Sequence, residues 1–279
     1  MTINCKGKLI DLSSPKVMGI LNLTPDSFYD GGMYKTDKTI LNQVDKMLKE
    51  GATFIDVGAY SSRPGADHIS VEEEKRRLFP ILSLLQNTYG DDILISVDTF
   101  RSLVAKEALE HHAAMINDIS AGNLDDKMMD VVAEYQIPYV MMHMKGTPQT
   151  MKTLTDYDNL IVDIKKYFSE RIHLAQEKGI HDIIIDPGFG FAKTIEQNFE
   201  LLRYFENLST FGKPILCGLS RKSMVYKTLK VSSKEALNGT TALHSFALLN
   251  GANILRVHDV KEAVQCTTLF EMYRNKNSR

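Results

Sequence analysis

The stretch ILISVDTFRSLVAKEALEHHAAMIND, residues 93–118, contains the pattern that decides the fold of this 279-residue chain. Two short apolar runs, at 93–98 and 113–118, enclose a segment that is typical of a helix, and both runs end in acidic or amide side chains. Neither run alternates apolar with polar residues, which is typical of strands that are covered on both faces. The stretch therefore predicts one strand–helix–strand unit of a parallel sheet.

The same unit recurs along the chain. With the two runs above, the apolar runs lie at 16–22, 53–58, 93–98, 113–118, 138–143, 182–186, 214–220 and 253–257. Eight strand–helix repeats in fewer than 300 residues favour an α/β fold, a single (β/α)8 TIM barrel. A doubly wound sheet is the alternative, but no GxGxxG glycine pattern follows the first run. Residues 1–12 precede the repeats, and we expect them to form a short N-terminal hairpin under the barrel floor.

The composition limits the organisation and the partners of the chain. We find no linker, charge block or low-complexity segment, so residues 1–279 are predicted to form one domain. The formal net charge of −2 argues against a general nucleic-acid surface, which needs an excess of lysine and arginine. No stretch approaches about 20 apolar residues, so a membrane span is not expected. The three cysteines show no CxxC or metal-ligand spacing, which favours a reduced, cytoplasmic protein.

Helix boundaries can be predicted at several positions between the runs. Ser70 with Glu73 predicts a capping box at the start of the second repeat's helix. Apolar residues at helical spacing from Phe199 to Leu208 predict one continuous helix. The final helix is expected to begin near Lys261.

Polar side chains end the apolar runs. They are Asn22, Asp56, Asp98, Asn117 with Asp118, His143, Asp186, Ser220, and Arg256 with His258. In a barrel of parallel strands the carboxyl ends meet at one mouth, where catalytic groups lie. A single strand-terminal Asp often caps the next helix, but capping alone does not explain polar residues at all eight ends. The sequence therefore predicts a ligand site at this mouth.

The residue types at the mouth indicate the chemistry of the ligand. Acceptors come from Asp98, Asn117 and Asp186, and donors come from Lys222, Arg256 and His258. The acceptors suit a heteroaromatic ring with adjacent N–H groups. The donors, beside a helix that is predicted to begin at Ser223, suit a phosphate. Loops rich in proline, glycine and polar residues at 24–32, 61–66 and 186–191 are predicted to rim the same mouth.

The strand ends and loops belong to long motifs. In chain order they are GILNLTPDSFYDGG, SSRPGA, SVDTF, INDIS, DPGFGFAK, GLSRKS and LRVHDV. Over about residues 16–259 the chain resembles the dihydropteroate synthase family, the pterin-binding enzymes of folate biosynthesis that sulfonamides target. The resemblance implies a transferase that forms a C–N bond between 6-hydroxymethyl-7,8-dihydropterin pyrophosphate and 4-aminobenzoate, releases pyrophosphate and uses Mg²⁺. It also implies a homodimer that forms through the later helices.

The resemblance further implies a role for each motif residue. Asn22 would bind Mg²⁺, and Asp30 in the first loop would face the cation that develops on the pterin. The pterin would be held by Asp98, Asn117, Asp186 and Lys222, and the pyrophosphate by Arg256 and His258. The aminobenzoate pocket would be shaped by Ser62, Arg63, Pro64, Phe28 and Ser223, with Phe191 beside Lys222. The implied catalytic residues are Asp30, Lys222, Arg256 and His258.

One loop departs from the family pattern. The common form is GGESTRPGA, whereas residues 58–66 read GAYSSRPGA, so Tyr60 replaces an acid and Ser62 replaces a threonine. Because Ser62 keeps the hydroxyl, its role is expected to survive. The sequence does not indicate what replaces the contacts of the acid at Tyr60.

Several alternatives stay open at this point. A methyltransferase domain that serves a corrinoid protein shares the barrel, but it has no need of the loops at 24–32 and 61–66. A non-catalytic pterin-binding relative would be expected to lose Asn22, Asp30 or Arg256, and all three are present. Arg221 is expected to be a solvated or loop-tethering side chain. His143 and Asp56 could each contact the ligand or only orient their neighbours.

Overall fold

The computed structural model describes residues 1–23, 37–61 and 68–274. Its strands are β1 (Thr2–Cys5), β2 (Lys8–Asp11), β3 (Lys16–Asn22), β4 (Phe54–Gly58), β5 (Ile95–Asp98), β6 (Met115–Asp118), β7 (Tyr139–Met142), β8 (Ile183–Asp186), β9 (Leu216–Cys217) and β10 (Ile254–Val257). Its α-helices are α1 (Asp37–Lys49), α2 (Val71–Tyr89), α3 (Ser102–Glu110), α4 (Met128–Tyr135), α5 (Leu160–Glu177), α6 (Ile195–Arg203), α7 (Ser223–Leu229), α8 (Leu237–Leu249) and α9 (Val260–Arg274).

The strands from β3 to β10 form one parallel barrel. Each strand from β3 to β7 pairs with the next in the chain, and β10 pairs with both β9 and β3. Between β8 and β9 the backbone N–H of Ile185 donates to the carbonyl oxygen of Pro214 (2.9 Å), and Ile185 bridges Ile215. This contact closes the ring, so the predicted (β/α)8 barrel is confirmed.

The non-alternating apolar runs become strands that are buried on both faces. All four residues of β6, β7 and β8 are buried, between side chains inside the barrel and the surrounding helices. The helices turn one apolar face inward, as α1 does with Ile40, Val44 and Met47. Burial on both faces explains why the strands lack a polar face in the sequence.

The N-terminal hairpin closes the floor of the barrel, as predicted. β1 and β2 pair antiparallel, with Ile3 opposite Ile10. Ile3, Cys5 and Leu12 are buried in one cluster with residues from the amino ends of the strands, among them Met18. The backbone N–H of Asn4 donates to the carboxylate of Asp182, just before β8 (2.7 Å).

The prediction of one continuous helix from Phe199 to Leu208 was wrong in detail. The stripe from Phe199 to Leu208 is divided between α6 and a 3₁₀ helix at Phe205–Phe211. Tyr204, with φ −105° and ψ 18°, ends α6, and the tighter turn still buries Phe205 and Leu208. Residues three apart lie on one side of a 3₁₀ helix, so the same apolar spacing fits both helix types.

The capping box predicted at α2 is only half formed. The Ser70 hydroxyl accepts from the backbone N–H of Glu73 (3.1 Å), whereas the Glu73 carboxylate pairs with Arg76 and Arg77. The last helix starts at Val260, one residue before the predicted position. Across the described ranges, no helix is long and apolar enough to cross a membrane.

Candidate active site at the barrel mouth

The carboxyl ends of the strands bring the predicted polar residues to one mouth. Asp98 ends β5, and it lies opposite Gly58 on one side and Asn117 on the other. Asp186 ends β8, and Arg256 lies in β10, which pairs with β3. Parallel pairing keeps these strand ends at the same edge of the sheet, so side chains far apart in sequence become neighbours.

Arg256 lies between two carboxylates inside the mouth. Its Nε donates to Oδ2 of Asp56 (2.6 Å), and its Nη2 donates to Oδ2 of Asp98 (2.7 Å). Asn117 and Ser96 also donate to the carboxylate of Asp56, at 3.1 and 2.6 Å. The structure thus shows Asp56, which is fully buried, orienting Arg256 and Asn117. Neither ion pair uses Nη1 of Arg256.

Asp98 is the more exposed of the two partners of Arg256. Burial raises the pKa of Asp98 to about 7, and the nearby Arg256 guanidinium opposes that rise. Two carboxyl groups against one guanidinium make this side of the mouth rich in hydrogen-bond acceptors, and its charge is most negative above about pH 7, where Asp98 is ionised. Such a site favours ligand groups that carry N–H donors or positive charge.

Asp186 and Lys222 form the opposite side of the mouth. Oδ1 of Asp186 accepts from the backbone N–H of Gly188 (2.8 Å), and burial raises the pKa of this carboxyl while Lys222 lowers it. Lys222 Nζ donates to the carbonyl of Phe189 and lies 4.6 Å from the ring centroid of Phe191. Burial lowers the pKa of Lys222 to about 8, and Asp186 opposes this shift. The predicted position of Phe191 beside Lys222 is confirmed.

The motif GLSRKS forms the turn from β9 into α7. Arg221 has φ +53° and makes a two-pronged ion pair with Asp259, at 2.7 and 2.8 Å. Its Nη1 donates to the carbonyls of Ser233 (2.8 Å) and Lys234 (2.5 Å). The predicted tethering role of Arg221 is therefore confirmed. With Arg221 fixed, Lys222 directly precedes α7, and Ser223 is the first residue of that helix, as predicted.

His258 lies just after β10 and is exposed. Its Nδ1 is 3.1 Å from the hydroxyl oxygen of Ser220, which also accepts from the backbone N–H of His258 (3.2 Å). Ser220, the predicted polar end of its run, thus links the turn after β9 to the turn after β10. His258 is thus held near the surface, apart from the ion pairs of Arg256 with Asp56 and Asp98.

Lys193 is the buried cation that the sequence reasoning missed. It lies within DPGFGFAK, and its Nζ is 3.0 Å from Nδ1 of His143. The same Nζ donates to the carbonyls of Gly188 (3.0 Å) and Phe191 (3.1 Å). His143, whose role was left open, therefore contacts a neighbouring side chain. A lysine in a glycine-rich loop usually lies in solvent, so the sequence carried no signal of its burial.

Tyr60 replaces the family acid with a different set of contacts. Its hydroxyl accepts from Nε2 of Gln149 (2.8 Å) and is 3.3 Å from Nδ1 of His68. The Arg101 guanidinium lies 5.2 Å from the Tyr60 ring centroid and makes an ion pair with Glu74 (2.7 Å). Tyr60 therefore contacts Arg101 through a cation–π interaction and Gln149 through a hydrogen bond. The carboxylate that pairs with Arg101 comes from Glu74 instead.

Five predicted site residues lie outside the described residues. They are Phe28, Asp30, Ser62, Arg63 and Pro64. Asn22, the predicted magnesium ligand, ends β3 and is partly exposed. No group of three or more His, Cys, Asp or Glu in the described part of the chain could hold a metal. Magnesium that binds through substrate phosphate and water needs only one or two protein oxygens, so a lone Asn22 oxygen fits it.

Comparison with known proteins gives consistent matches over nearly the whole chain. The model of a family described as pterin binding enzyme matches residues 18–258. A dihydropteroate synthase from Synechocystis is 45% identical over 262 residues, which are 92% of this chain and 90% of the relative.

Solved structures agree with these sequence matches. A Yersinia pestis dihydropteroate synthase in a sulfonamide drug complex has a TM-score of 0.93 and 39% identity, covering 98% of this chain and 99% of that one. The Xanthomonas albilineans dihydropteroate synthase with 4-aminobenzoic acid has a TM-score of 0.90 and 36% identity, covering 98% of each chain. The strand ends at the mouth, from Asn22 to Arg256, lie within the residues that the family model matches.

Proposed function

We propose that this chain, which belongs to the pterin binding enzyme family and within it to the dihydropteroate synthases, carries out its chemistry at the barrel mouth just described. It is a transferase of folate biosynthesis that joins 6-hydroxymethyl-7,8-dihydropterin pyrophosphate to 4-aminobenzoate. The products are 7,8-dihydropteroate and pyrophosphate. The observation that supports the location best is the convergence of Asp98, Asn117, Asp186 and Lys222 around Arg256.

The pterin ring fits the donors and acceptors of this cluster. A pterin presents its N3–H and 2-amino groups side by side, and a buried carboxylate such as Asp186 can accept from both. Its O4 and N5 are acceptors, which the Lys222 ammonium can reach. Asp98 and Asn117, on the facing strands, offer further acceptors. Burial of these groups makes a mismatched ligand costly, because any polar group left unpaired loses its contacts with water.

The reaction breaks a C–O bond to pyrophosphate and forms a C–N bond to the arylamine. An arylamine is already nucleophilic, so the protein's task is to stabilise the departing negative charge. Arg256, through Nη1, and His258, at the rim, are the cations proposed for that task. Asp30, outside the described residues, is proposed to face the pterin methylene as positive charge develops on it.

Magnesium is proposed as the cofactor, with Asn22 as its protein ligand. When bound to the pyrophosphate, Mg²⁺ would neutralise charge that builds up on the departing oxygens. Asn22 is suited to this role because its amide oxygen lies at the end of β3, the strand that pairs with the strand of Arg256.

The aminobenzoate pocket is proposed to lie beside the pterin, near Ser223 and Phe191. Phe28, Ser62, Arg63 and Pro64 are proposed to complete it. Because a sulfonamide drug is bound by the Yersinia pestis relative, and 4-aminobenzoic acid by the Xanthomonas relative, we propose that both bind this chain at the same pocket.

A homodimer is proposed from an apolar surface on the last two helices. Phe246 and Leu249 on α8 and Leu269, Met272 and Tyr273 on α9 are all more than half exposed. Patches of large apolar side chains on a folded surface mark sites of association. The cytoplasmic location, suggested by the reduced cysteines, and the single domain over residues 1–279 stay predictions.

The proposed function is tested by pyrophosphate release from the purified chain with both substrates and Mg²⁺. We expect release to depend on both substrates and to match dihydropteroate formation measured by mass spectrometry. Release of pyrophosphate without 4-aminobenzoate would indicate a hydrolase, and absence of the pteroate product would contradict the proposal.

A further inference from the structure

Lys193 is buried, and its ammonium is fully engaged. The side chain is 8% exposed, and Nζ reaches three acceptors: Nδ1 of His143 and the carbonyl oxygens of Gly188 and Phe191, at 3.0 to 3.1 Å. An ammonium group has three N–H donors and no acceptor, so the numbers of donors and acceptors match. The arrangement requires a neutral His143 that carries its proton on Nε2.

The charges around the pair are consistent with this arrangement. Burial lowers the pKa of His143 well below its usual value, and the adjacent Lys193 lowers it further, which keeps the imidazole neutral. Burial lowers the pKa of Lys193 to about 7, while Asp186 raises it and Lys222 lowers it. Lys145 is the other cation that acts on His143.

The two carbonyls held by Lys193 belong to the turn that also positions Lys222. Between them lies Phe189, whose carbonyl accepts from Lys222 Nζ. Phe191 carries both a carbonyl bound by Lys193 and the ring beside which Lys222 lies. Gly188 donates its N–H to Asp186. One short turn thus links Lys193 to both Asp186 and Lys222.

The turn packs closely against the end of β7, so a side chain at Gly188 cannot anchor it. Gly188 has φ +72°, and a Cβ there would lie 2.2 Å from the carbonyl oxygen of His143. No side chain of its own can therefore anchor Gly188 at this position. The carbonyl of Gly188 faces Lys193 instead. Asn198 accepts from the N–H of Gly190 (2.6 Å), and Tyr157 donates to the carbonyl of Ala192 (2.9 Å).

We infer that Lys193 is a positioning residue, which holds the turn at 187–192 so that the Phe189 carbonyl and the Phe191 ring direct the Lys222 ammonium towards the pterin. This inference rests on the proposed pterin site. Lys193 acts on the ligand through Lys222, because its three donors are all bonded within the protein. Asn198 and Tyr157 remain to hold the rest of the turn when Lys193 is changed, so the expected effect is local.

The test is a double-mutant cycle on pterin binding. Lys193→Met removes the ammonium at similar length, and we expect the dissociation constant of 6-hydroxymethylpterin, measured by calorimetry at pH 6.5, to rise about tenfold. In a Lys222→Met background the same change should have little further effect, because the path that we infer, through Lys222, is gone. Additive effects of the two changes would contradict positioning through Lys222.

Two further variants separate positioning from stability. Lys193→Gln keeps two N–H donors for the two carbonyls, and we expect it to restore most of the affinity. Lys166→Met, on the exposed face of α5, is the matched control and should bind like the wild type. If both Lys193 variants fail to fold, Lys193 supports the whole barrel, and the local role is wrong.

The outcomes also distinguish this inference from the proposed function. If the wild-type chain binds the pterin and Lys193→Met binds it equally well, only the inference about Lys193 is overturned. If the wild-type chain does not bind the pterin at all, the proposed site is overturned as well.

Discussion

Asp186 is the residue whose chemistry most directly selects the ligand. It is 6% exposed, one of its oxygens is occupied by Gly188, and Oδ2 lies 3.7 Å from the point where a Cβ on Gly218 would be. An added methyl group at Gly218 would lie in ordinary van der Waals contact with this oxygen. Because Gly218 carries no side chain, we expect a flat ring to approach Asp186 from this side.

We predict that Asp186→Asn weakens pterin binding about tenfold, because the amide places a donor against the ligand's donors and leaves one buried group unpaired, at a cost of about 1–3 kcal/mol. Calorimetry with 6-hydroxymethylpterin measures the change. Asp182→Asn, at the residue before the amino end of β8, is the control and should bind as the wild type does. Unchanged binding by a folded Asp186→Asn protein would show that Asp186 does not contact the ring.

The charge of Lys222 gives a second prediction at the residue scale, a pH dependence of pterin binding. Burial lowers its pKa from 10.5 to about 8, so the ammonium form predominates below that pH and is lost above it. If the ammonium donates to the pterin, affinity should fall about tenfold for each pH unit well above 8, whereas Asp98, with a pKa of about 7, changes affinity only at lower pH.

Lys222→Arg provides the control for this pH dependence. The guanidinium stays charged at every pH used, so its binding should show no fall near pH 8, although its absolute affinity is lower. A fall of equal size in both proteins would assign the titration to the ligand or to another residue.

Elements, and above all the turns between them, decide where these side chains lie. α7 has only seven residues and is preceded by Arg221 in a left-handed conformation. The ion pair of Arg221 with Asp259 joins this turn to the start of α9, and both side chains are about one-fifth exposed. The position of Lys222 therefore depends on a contact between two different βα-loops.

We predict that Asp259→Asn lowers the free energy of unfolding by about 1–2 kcal/mol, since a partly buried, two-pronged pair loses its charge. Urea denaturation at pH 7 measures it. Asp130→Asn breaks a more exposed pair with Lys178 and should cost less than about 0.5 kcal/mol. Equal effects of the two changes would mean that the Arg221 tether contributes no more than a surface contact.

At this scale the sequence predicted much of the fold and part of the site. The strands could be predicted because strands buried on both faces appear as unbroken apolar runs. Asp98, Asn117 and Asp186 could be predicted as site residues because they stand at the ends of those runs. The contacts of Tyr60 did not follow, because Gln149 lies 89 positions away. Lys193 was missed because a lysine in a glycine-rich loop usually lies in solvent, and because His143, 50 positions away, comes close to it only when β7 and β8 pair.

For the whole molecule, the described chain exposes five large apolar side chains on its last two helices. The floor is covered by the hairpin, and the mouth is polar. The exposed apolar side chains of α8 and α9 lie instead on the outside of the barrel. A second copy of the chain is the partner that we propose for this surface.

We predict that the wild-type chain sediments as a dimer at micromolar concentration and that Leu269→Lys sediments as a monomer, because a buried lysine at the contact would lose hydration without a partner. Leu103→Lys, at an apolar site on α3 that is also more than half exposed, is the control and should stay dimeric. A wild-type monomer, or loss of the dimer in the α3 variant alone, would contradict this placement of the contact.

The central claim is that the pterin binds among Asp98, Asn117, Asp186 and Lys222 at the carboxyl ends of the strands. Its most direct test is a crystal structure of the chain with the pterin pyrophosphate and Mg²⁺. We expect the carboxylate of Asp186 to accept from N3–H and the 2-amino group, the Lys222 ammonium to lie beside O4 or N5, and the pyrophosphate to lie towards Arg256 and His258. A pterin bound elsewhere, or bound in this mouth with its amino edge turned away from Asp186, would contradict the account.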